Sequence, residues 1–466
     1  MAVPTETRTE QLVRLIRTQI AARTLAPGTR LPSIRAQALA RTVSITTVVE
    51  AYDRLVAEGL IESRRGAGFY VLGQKLPFKL AEAGPRLDRE VDPLWVSRQS
   101  LETPPDTLRP GCGWLPPSLM PVSILRRSLR ALARTDAMIL TDYSGPRGFL
   151  ALRDHLARRL NQFGVPATPS RILLVESGTQ AVDLFCRFLL TPGETVLLDD
   201  PCYFNFRALL QAHRLNVVSV PYTPTGPDVN EFSNILTKTK PRLYITNCAV
   251  HNPTGATLSA LTAHRILKLA EQHELTIIED DIFAEFEADP SPRLAAFDGL
   301  ERVVQIGSFS KTISASLRCG YIAAKPEWIE GLEDLKIATT FSGGQLTTEL
   351  LLNVLKDGGY RKHIEALRGK LAQLMSLTIE RLQNLGLTPW TIPRAGMHLW
   401  CSLPEDYDAT EIARRALVRN IVLAPGNVFS PMQNAGNFLR FNVTQSLDPR
   451  LFAFFKDELK KHKMEA

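Results

Sequence analysis

The sequence predicts two domains of different class: a small, mostly helical N-terminal domain and a large α/β domain. Three observations lead to this prediction. Short helical patterns in residues 8–72 end in two short β segments joined through glycines. A stretch rich in Pro and Gly then runs to about residue 117. Beyond it, apolar β-type runs alternate with amphipathic helical stretches, the pattern of a mixed, mostly parallel sheet with helices on both faces.

Length and composition agree with this division. A chain of 466 residues is too long for one ordinary core, and 44% hydrophobic with 22% charged residues is typical of a soluble globular protein. We expect the small helical domain in residues 1–73, a linker with some helix that docks in places in 74–117, and the α/β domain in 118–466. The last comprises a large part, about 118–355, and a small C-terminal α+β part, about 356–466.

The charge is concentrated at the N-terminus. The chain has a net charge of +7, and residues 1–73 contain ten Arg and no Lys against five Glu and one Asp. More than half of the positive excess therefore lies on the first sixth of the chain, which favours nucleic acid as a partner. An ordinary solvated basic surface is the alternative that charge alone leaves open.

The cysteines and the apolar runs exclude several classes of protein. Six scattered cysteines form no C-x-x-C pair, so we expect reduced thiols and no metal site or disulfide framework. No apolar run approaches the roughly 18–20 residues of a membrane span. The first residues are polar and acidic, unlike a signal peptide. We expect a cytoplasmic protein with no membrane partner.

Three helices are predicted in the N-terminal domain. The first, in residues 10–24, has one apolar face. Ser33 is placed to cap a second helix after the Pro27-Gly28 break. Ser44 is placed to cap a third, which ends near Gly59. The buried stripe predicted for this third helix is Val48, Tyr52 and Leu55.

The third helix has the features of a DNA-recognition helix. Its first turn, with Ile45, Thr46 and Thr47, can enter a major groove, and the β segments around Gly66 and Gly68 would form a wing. Each arginine alone is also compatible with a solvated surface charge. The residues expected to contact DNA are Arg35, Ser44, Thr46, Thr47, Arg64, Arg65 and Gly66.

In the large domain, polar residues collect where apolar strands end, which is where open α/β sheets bind ligands. Residues 172–175 run into Ser177-Gly178-Thr179, which opens a helix and could bind phosphate. Asn252-Pro253 closes another strand and could equally be a common turn.

Two further strand ends carry charge. Asp280 and Asp281 follow an apolar run, and a buried carboxylate needs a cation or a proton. Acid–base catalysis by the two is a rival interpretation, but adjacent strand residues point to opposite faces. Lys311 lies among small hydroxyl residues beyond the next strand, where partial burial would make its amine nucleophilic. Nearby Arg318 could bind phosphate oxygens bidentately.

Both domains resemble known families. L-P-S-I-R at 31–35, the V-S-x-T-T-V run at 43–48 and R-R-G-A-G-F-Y-V at 64–71 resemble the winged helix-turn-helix of GntR-type regulators. S-F-S-K-T at 308–312 with L-R-x-G-Y at 317–321 resembles fold type I pyridoxal-phosphate enzymes of aminotransferase class I/II. Together they resemble the MocR subfamily of bacterial transcriptional regulators.

The second resemblance implies pyridoxal 5'-phosphate as cofactor and a role for each site residue. Lys311 would form the Schiff base, Asp280 would pair with the pyridine nitrogen and Asn252 would meet the ring hydroxyl. Tyr203 would stack on the ring, and Arg440 would hold an effector carboxylate. The phosphate would be held by Gly178, Thr179, Ser308 and Arg318, with Ser310 as a further candidate and Tyr143 reaching the partner subunit's phosphate.

The chain departs from the family patterns at a few positions. Ile45 stands where GntR relatives often carry a polar residue. Phe283 stands where many aminotransferases place a tyrosine that hydrogen-bonds the ring hydroxyl, Cys202 replaces a frequent glycine and Ala315-Ser316 replaces Pro-Gly. We expect the cofactor to bind despite these changes, with at most weak transaminase activity.

The combined resemblance implies a regulator that binds double-stranded operator DNA as a head-to-tail homodimer and senses pyridoxal phosphate, a small amino compound or both. An active aminotransferase with a vestigial DNA-binding domain is the first alternative, and a regulator that no longer binds the cofactor is the second. Arg440 favours an amino-carboxylate effector, but it could also simply brace the fold.

Overall fold

The computed structural model describes residues 7–21, 25, 28–64, 68–72, 95–102, 104, 106–404 and 407–465. Contacts divide the chain into two compact units, Met1–Arg89 and Glu90–Ala466. Each unit has a hydrophobic core of its own, as expected for separate domains.

The N-terminal unit is a winged helix-turn-helix. Its elements are the helices α1 Arg8–Ala21, α2 Ile34–Arg41 and α3 Ile45–Ala57, and the antiparallel strands β1 Ile61–Arg64 and β2 Gly68–Val71. Both predicted caps are present: the Ser33 hydroxyl accepts from the Ala36 amide and the Ser44 hydroxyl accepts from the Thr47 amide. Val48, Tyr52 and Leu55 of α3 are fully buried, so the capped helix is fixed by its apolar face.

The large unit contains an eight-stranded sheet. Its strands are β3 Ile172–Val175, β4 Thr195–Asp200, β5 Asn216–Thr223, β6 Gly226–Pro227, β7 Leu243–Thr246, β8 Thr276–Asp280, β9 Val303–Ser308 and β10 Gly320–Ala323. The spatial order is β3-β10-β9-β8-β7-β4-β5-β6. Strands β9, β8, β7, β4 and β5 run parallel, whereas β10 and β6 pair antiparallel to their neighbours.

Helices cover both faces of this sheet. They are α4 Trp95–Glu102, α5 Val122–Leu132, α6 Ala137–Thr141, α7 Leu150–Gln162, α8 Gly178–Leu189, α9 Phe204–Ala212, α10 Val229–Thr239, α11 Ala260–Gln272, α12 Leu294–Asp298, α13 Pro326–Thr340 and α14 Gln345–Lys356. Along β3, Leu174 belongs to one core cluster while Leu173 and Val175 belong to another. Strands buried on both sides in this way explain the continuous apolar runs in the sequence.

The C-terminal part adds a smaller antiparallel sheet in the order β11-β12-β14-β13. Its elements are α15 Gly358–Gln383, β11 Thr388–Pro389, β12 His398–Ser402, α16 Ala409–Val418, β13 Ala424–Pro425, β14 Phe438–Asn442 and α17 Pro449–Glu465. Short 3₁₀ turns lie at Pro117–Leu119, Pro169–Arg171, Ala284–Phe286, Gly426–Val428 and Val443–Gln445.

The predicted strand–helix alternation is confirmed, and the described part of residues 74–117 packs on the large unit in places, which distinguishes it from a free linker. In the described portion of that stretch, Trp95, Val96 and Leu115 are buried in the core of the large unit, and Leu108 forms a bridge with Ile421. The apolar side chains of this Pro-rich stretch explain the difference, because they cover the α/β core. No helix in the described ranges is both long and apolar enough to cross a bilayer.

Candidate functional site

The N-terminus of α3 is exposed in the small unit. Ser44 and Thr46 are exposed and Thr47 is half-buried, with 2.8 Å between the Ser44 and Thr47 hydroxyl oxygens. The helix N-terminus presents free amides and the positive end of the helix dipole. Arg35 on α2 is exposed as well, and the Ile45 side chain is 55% exposed. The first turn of α3 is therefore available to a phosphate backbone.

The wing is only partly described. Arg64 ends β1, where its Nε donates to Glu62 at 2.8 Å and its guanidinium lies 4.4 Å from the centre of the Tyr70 ring. Its charge is thus shared with a neighbouring carboxylate, and it is not a free cation. Arg65 and Gly66, which were also predicted to contact DNA, lie outside the described residues.

In the large unit, the sheet order brings two of the predicted strand ends together. β10 lies between β3 and β9, and Gly320 at its start allows close packing. A Cβ at Gly320 would lie 2.8 Å from the Gly307 oxygen and 3.3 Å from the Gly178 amide nitrogen. Ser308, which follows Gly307, and the N-terminus of α8 consequently sit side by side.

These neighbours form a group of hydroxyls and amides. The Ser177 hydroxyl accepts from the Gln180 amide at 3.0 Å and so caps α8. The hydroxyls of Ser308 and Ser310 are 2.8 Å apart, and the Thr179 hydroxyl accepts from Asn205 at 3.4 Å. A helix N-terminus flanked by hydroxyls is an arrangement suited to a phosphate group.

Lys311 meets a backbone carbonyl from a distant part of the chain. Its Nζ donates to the Gly113 oxygen at 2.6 Å. A Cβ at Gly113 would lie 3.9 Å from this Nζ and 3.7 Å from Nη2 of Arg440, so the glycine lets both cations approach. Burial, aided by the Arg440 charge, lowers the pKa of Lys311 to about 8.

Asp280 and Asp281 have separate environments. Burial raises the pKa of Asp280 to about 6, and its Oδ1 accepts from the Ile282 amide at 3.2 Å. No described Lys, Arg or His forms an ion pair with Asp280. Asp281 is paired with Arg293 and accepts from Gln305 at 2.8 Å. The acid–base pair considered from the sequence is therefore not formed.

Arg440 is buried, with 1% of its surface exposed. Its Nη1 donates to the Asn252 side-chain oxygen at 2.9 Å and its Nη2 to the Gly111 oxygen at 2.6 Å. Its guanidinium also lies 4.7 Å from the centre of the Phe429 ring. Burial lowers its pKa to about 10, so it stays charged at neutral pH.

Aromatic rings line the same site. Tyr203 is half-buried against Phe204 and Phe206, and burial raises its pKa, with the Asp280 charge adding to the effect. Phe283 is buried, and its ring meets the His398 ring edge to face with centres 5.4 Å apart. The imidazole of His398 is therefore an aromatic neighbour of Phe283 in this site.

Two predicted residues lie at the periphery. Arg318 is exposed and borders a cavity of about 240 Å³ that Lys336 also lines. Tyr143 is 75% exposed, and its ring packs on Phe341 with centres 5.0 Å apart. Lys311, Asn252 and Arg440 are connected through short contacts; Tyr143 is not part of that group.

Sequence reasoning missed Gly111, Gly113 and His398. The two glycines lie in the stretch R-P-G-C-G-W, whose dominance by Pro and Gly predicts a linker. Glycines spaced two apart beside a tryptophan were the available signal for a close backbone approach. His398 gave no signal, since a single histidine in an apolar strand is usually a core residue.

Family models match both units. The model for aminotransferase class I and II matches residues 120–451, and the model for bacterial regulatory proteins of the gntR family matches residues 8–71. The two matches coincide with the large α/β unit and the winged helix-turn-helix.

Relatives that match over most of their length are named HTH-type transcriptional regulators. The chain is 30% identical to the uncharacterized HTH-type transcriptional regulator YdcR of Escherichia coli, over 93% of this chain and 94% of that protein. It is 28% identical to the uncharacterized HTH-type transcriptional regulator YdfD of Bacillus subtilis (93% and 91%) and 26% identical to the HTH-type transcriptional regulator NorG of Staphylococcus aureus (87% and 94%).

Solved structures of aminotransferases share the fold of the large unit. Kynurenine aminotransferase of Pyrococcus horikoshii has a TM-score of 0.73 at 23% identity, covering 81% of this chain and 96% of that one. The α-aminoadipate aminotransferase LysN of Thermus thermophilus, complexed with N-(5'-phosphopyridoxyl)-L-leucine, has a TM-score of 0.70 at 26% identity, with coverage of 79% and 96%. With the family matches, these likenesses confirm both predicted resemblances. The chain belongs to the MocR-type family of bacterial HTH-type transcriptional regulators, in which a gntR-family domain is joined to an aminotransferase class I and II domain.

Proposed function

We propose that this protein binds operator DNA with its N-terminal domain and pyridoxal 5'-phosphate with its large domain. The bound cofactor, alone or with an amino compound, then changes the affinity for DNA. The observation that carries this proposal is the union in one chain of a gntR-family domain with a site in which Lys311, Asn252 and Arg440 meet. A chromosomal operator as partner implies a cytoplasmic location.

The residues of the large-domain site fit pyridoxal phosphate. Asp280 is a buried carboxylate that forms no ion pair with a described residue, and a protonated pyridine nitrogen would give it one. The α8 N-terminus with Gly178 and Thr179, together with Ser308, Ser310 and Arg318, would hold the phosphate. Tyr203 would lie against the ring, and the side-chain amide of Asn252, whose oxygen already accepts from Arg440, would donate to the ring hydroxyl.

Lys311 is suited to bind the cofactor covalently. The cofactor supplies an electrophilic carbonyl that condenses with primary amines. With a pKa of about 8, about a tenth of the Lys311 amine is unprotonated at pH 7. The Gly113 carbonyl orients its Nζ, and the positive charge of Arg440 disfavours reprotonation.

Arg440 supports an amino-carboxylate effector. Two of its nitrogens already bond to Asn252 and Gly111, which is what a bracing role would require. Its Nε, however, is buried and has no partner in the described part of the chain. A carboxylate would satisfy that nitrogen, since buried donors are rarely left unpaired.

The DNA-binding face and the subunit arrangement complete the proposal. Arg35, Ser44, Thr46, Thr47 and Arg64 would contact phosphates or bases, and Arg65 and Gly66 would extend the contact from the wing. Tyr143 and Phe341 are large and exposed, which supports burial of this surface in a homodimer. We propose a head-to-tail dimer in which Tyr143 would reach the partner subunit's phosphate.

The test is spectroscopic and functional together. Purified protein should show a visible absorption band that borohydride removes, leaving the reduced cofactor on the peptide that contains Lys311. Steady turnover of an amino acid and a keto acid, with DNA affinity unaffected by the cofactor, would instead favour the aminotransferase alternative. Absence of any visible band after incubation with pyridoxal phosphate would contradict the proposal.

A further inference from the structure

His398 lies on the same face of the small sheet as Arg440. In the antiparallel pair β12–β14, His398 is opposite Asn442 and Trp400 is opposite Arg440. Side chains of directly opposed residues point to one face, and so do those of residues two apart. His398 and Arg440 are therefore diagonal neighbours on one face, at about 7–8 Å between Cα atoms, within reach of long side chains.

The imidazole of His398 is buried among groups that leave it neutral. The residue is 2% exposed, and the Phe283 ring meets its edge. The nearby cations are Arg440 on β14 and Lys311 after β9. Burial, reinforced by these two charges, holds the pKa of His398 well below its usual range.

Two buried nitrogens on this face have no partner. Nε2 of His398 and Nε of Arg440 form no hydrogen bond to any described residue. An unsatisfied buried polar group costs about 1–3 kcal/mol, so such atoms are few in native proteins. Since the charged side chains beside them, Arg440 and Lys311, are cations, the complementary group is an oxygen that carries negative charge.

We propose that His398 is a further ligand-binding residue of the large-domain site, whose Nε2–H donates a hydrogen bond to an anionic oxygen of the bound ligand. This inference rests on the proposed function and deepens it. Two sources of such an oxygen exist: the ring oxygen of pyridoxal phosphate and the carboxylate of an amino compound. Phe283, the aromatic neighbour, offers neither of them a hydrogen bond.

Three variants separate the contact from a structural role. His398→Phe keeps the ring shape and removes both nitrogens. His398→Gln retains a donor near the position of Nε2. His363→Phe is the matched control, because His363 on α15 also has an Nε2 with no partner among the described residues but lies against Tyr360 and belongs to no predicted site.

The first measurement is the affinity for pyridoxal phosphate, for which the visible band serves as the signal. The second titrates the cofactor-loaded protein with a panel of amino acids and follows the change in that band. His398→Phe should weaken one of these affinities by about 10-fold, the effect of losing a hydrogen bond to a charged group. A loss in the first measurement identifies the ring oxygen, and a loss confined to the second identifies the carboxylate.

The expected control results follow from the missing hydrogen-bond partner of His398 Nε2. Without ligand, His398→Phe should melt at the same temperature as the wild type or higher, because it removes an unsatisfied polar group. His398→Gln should recover most of the lost affinity, and His363→Phe should leave both affinities unchanged.

The inference is overturned if His398→Phe binds the cofactor and every amino acid within twofold of the wild type, or if His398→Gln fails like His398→Phe. Such a result with a normal wild-type band would leave the proposed function intact. A wild type without a band would overturn the proposed function and this inference together.

Discussion

The two units use charge in opposite ways. In the N-terminal unit, Arg35 is exposed and the Arg64 side chain lies at the surface beside Glu62. In the large unit, Arg440 and Asp280 are buried, with 1% and 8% of their surfaces exposed. The first arrangement suits a long, hydrated polyanion, and the second suits a small molecule that is enclosed.

The difference has energetic consequences. Exposed arginines contribute little to stability, so they can be adjusted for binding alone, and their effect falls with salt. Buried charges without partners lower the free energy of unfolding. The ligand-free large unit is therefore destabilised at the site where its ligand should bind. Substitutions in the two units should therefore differ in their effects on stability, salt dependence and pH dependence.

Removing the Lys311 amine should have the largest effect. Lys311→Ala should lose the visible band and the borohydride-trapped peptide completely. Among the described residues, the amine that donates to the Gly113 oxygen is that of Lys311. Absorption spectra and peptide mapping test this. Lys336→Ala is the control, since Lys336 is also a buried lysine, bonded to the Pro146 oxygen. An unchanged band in Lys311→Ala would refute the assignment.

Asp280→Asn should weaken the binding of pyridoxal phosphate and stabilise the ligand-free protein. We expect a loss of about 100-fold in pyridoxal phosphate affinity, the upper range for a hydrogen bond to a charged group. Without ligand, however, the variant should be more stable than the wild type at pH 7. The folded pKa of Asp280, about 6, lies above its ordinary value, so the wild type loses stability as pH rises through that window.

The pH dependence gives this prediction a sharp test. Relative to Asp280→Asn, the ligand-free wild type should lose about 1 kcal/mol of unfolding free energy between pH 5 and pH 7. Denaturant unfolding of both proteins at the two pH values measures it. A difference that stays constant with pH, or that changes in the opposite direction, would show that Asp280 does not titrate as an isolated buried acid.

Arg35→Ala should affect DNA binding and nothing else. Loss of one phosphate contact should reduce the slope of log K against log salt by about 0.9 and weaken binding to selected and random duplexes alike. Binding isotherms at several salt concentrations test this, with the melting temperature as control. Binding that ignores both salt and the substitution would place the DNA contacts elsewhere.

Ser44→Ala should have the smallest effect. Its hydroxyl caps α3 by accepting from the Thr47 amide at 3.0 Å, and loss of such a cap costs about 1 kcal/mol. Ser33→Ala, which removes the equivalent cap of α2, is the matched control for stability. If Ser44 also contacts DNA, only Ser44→Ala should weaken DNA binding; equal effects of both variants on DNA would make Ser44 a cap alone.

The elements that sequence predicted well are those with local signals. The caps at Ser33 and Ser44, the buried stripe of α3 and the apolar strands each depend on neighbours within a few residues. The family resemblances added what periodicity cannot supply. They predict that Asn252, Asp280 and Lys311, which lie at or after the ends of successive strands of one sheet, belong to a single binding site.

The parts that sequence missed depend on distant contacts. Gly113 meets Lys311 across 198 residues of chain, and Gly111 meets Arg440 across 329. The residues of the Pro-rich stretch by themselves predict a linker, because they contain no signal for the contacts with Lys311 and Arg440. His398 was missed for the same reason: its neighbours, Phe283 before the 3₁₀ turn Ala284–Phe286 and Arg440 on β14, are distant from it in the sequence.

The central claim is that occupancy of the large-domain site changes DNA binding. It is tested most directly by the affinity for a duplex that the wild type selects from a random-sequence pool, measured without cofactor, with pyridoxal phosphate, and with pyridoxal phosphate plus an amino-acid panel. Coupling of ordinary strength predicts a change of about 5–150-fold in at least one state of the wild type and none in Lys311→Ala. Equal affinities in all states of the wild type, with the visible band present, would contradict the account.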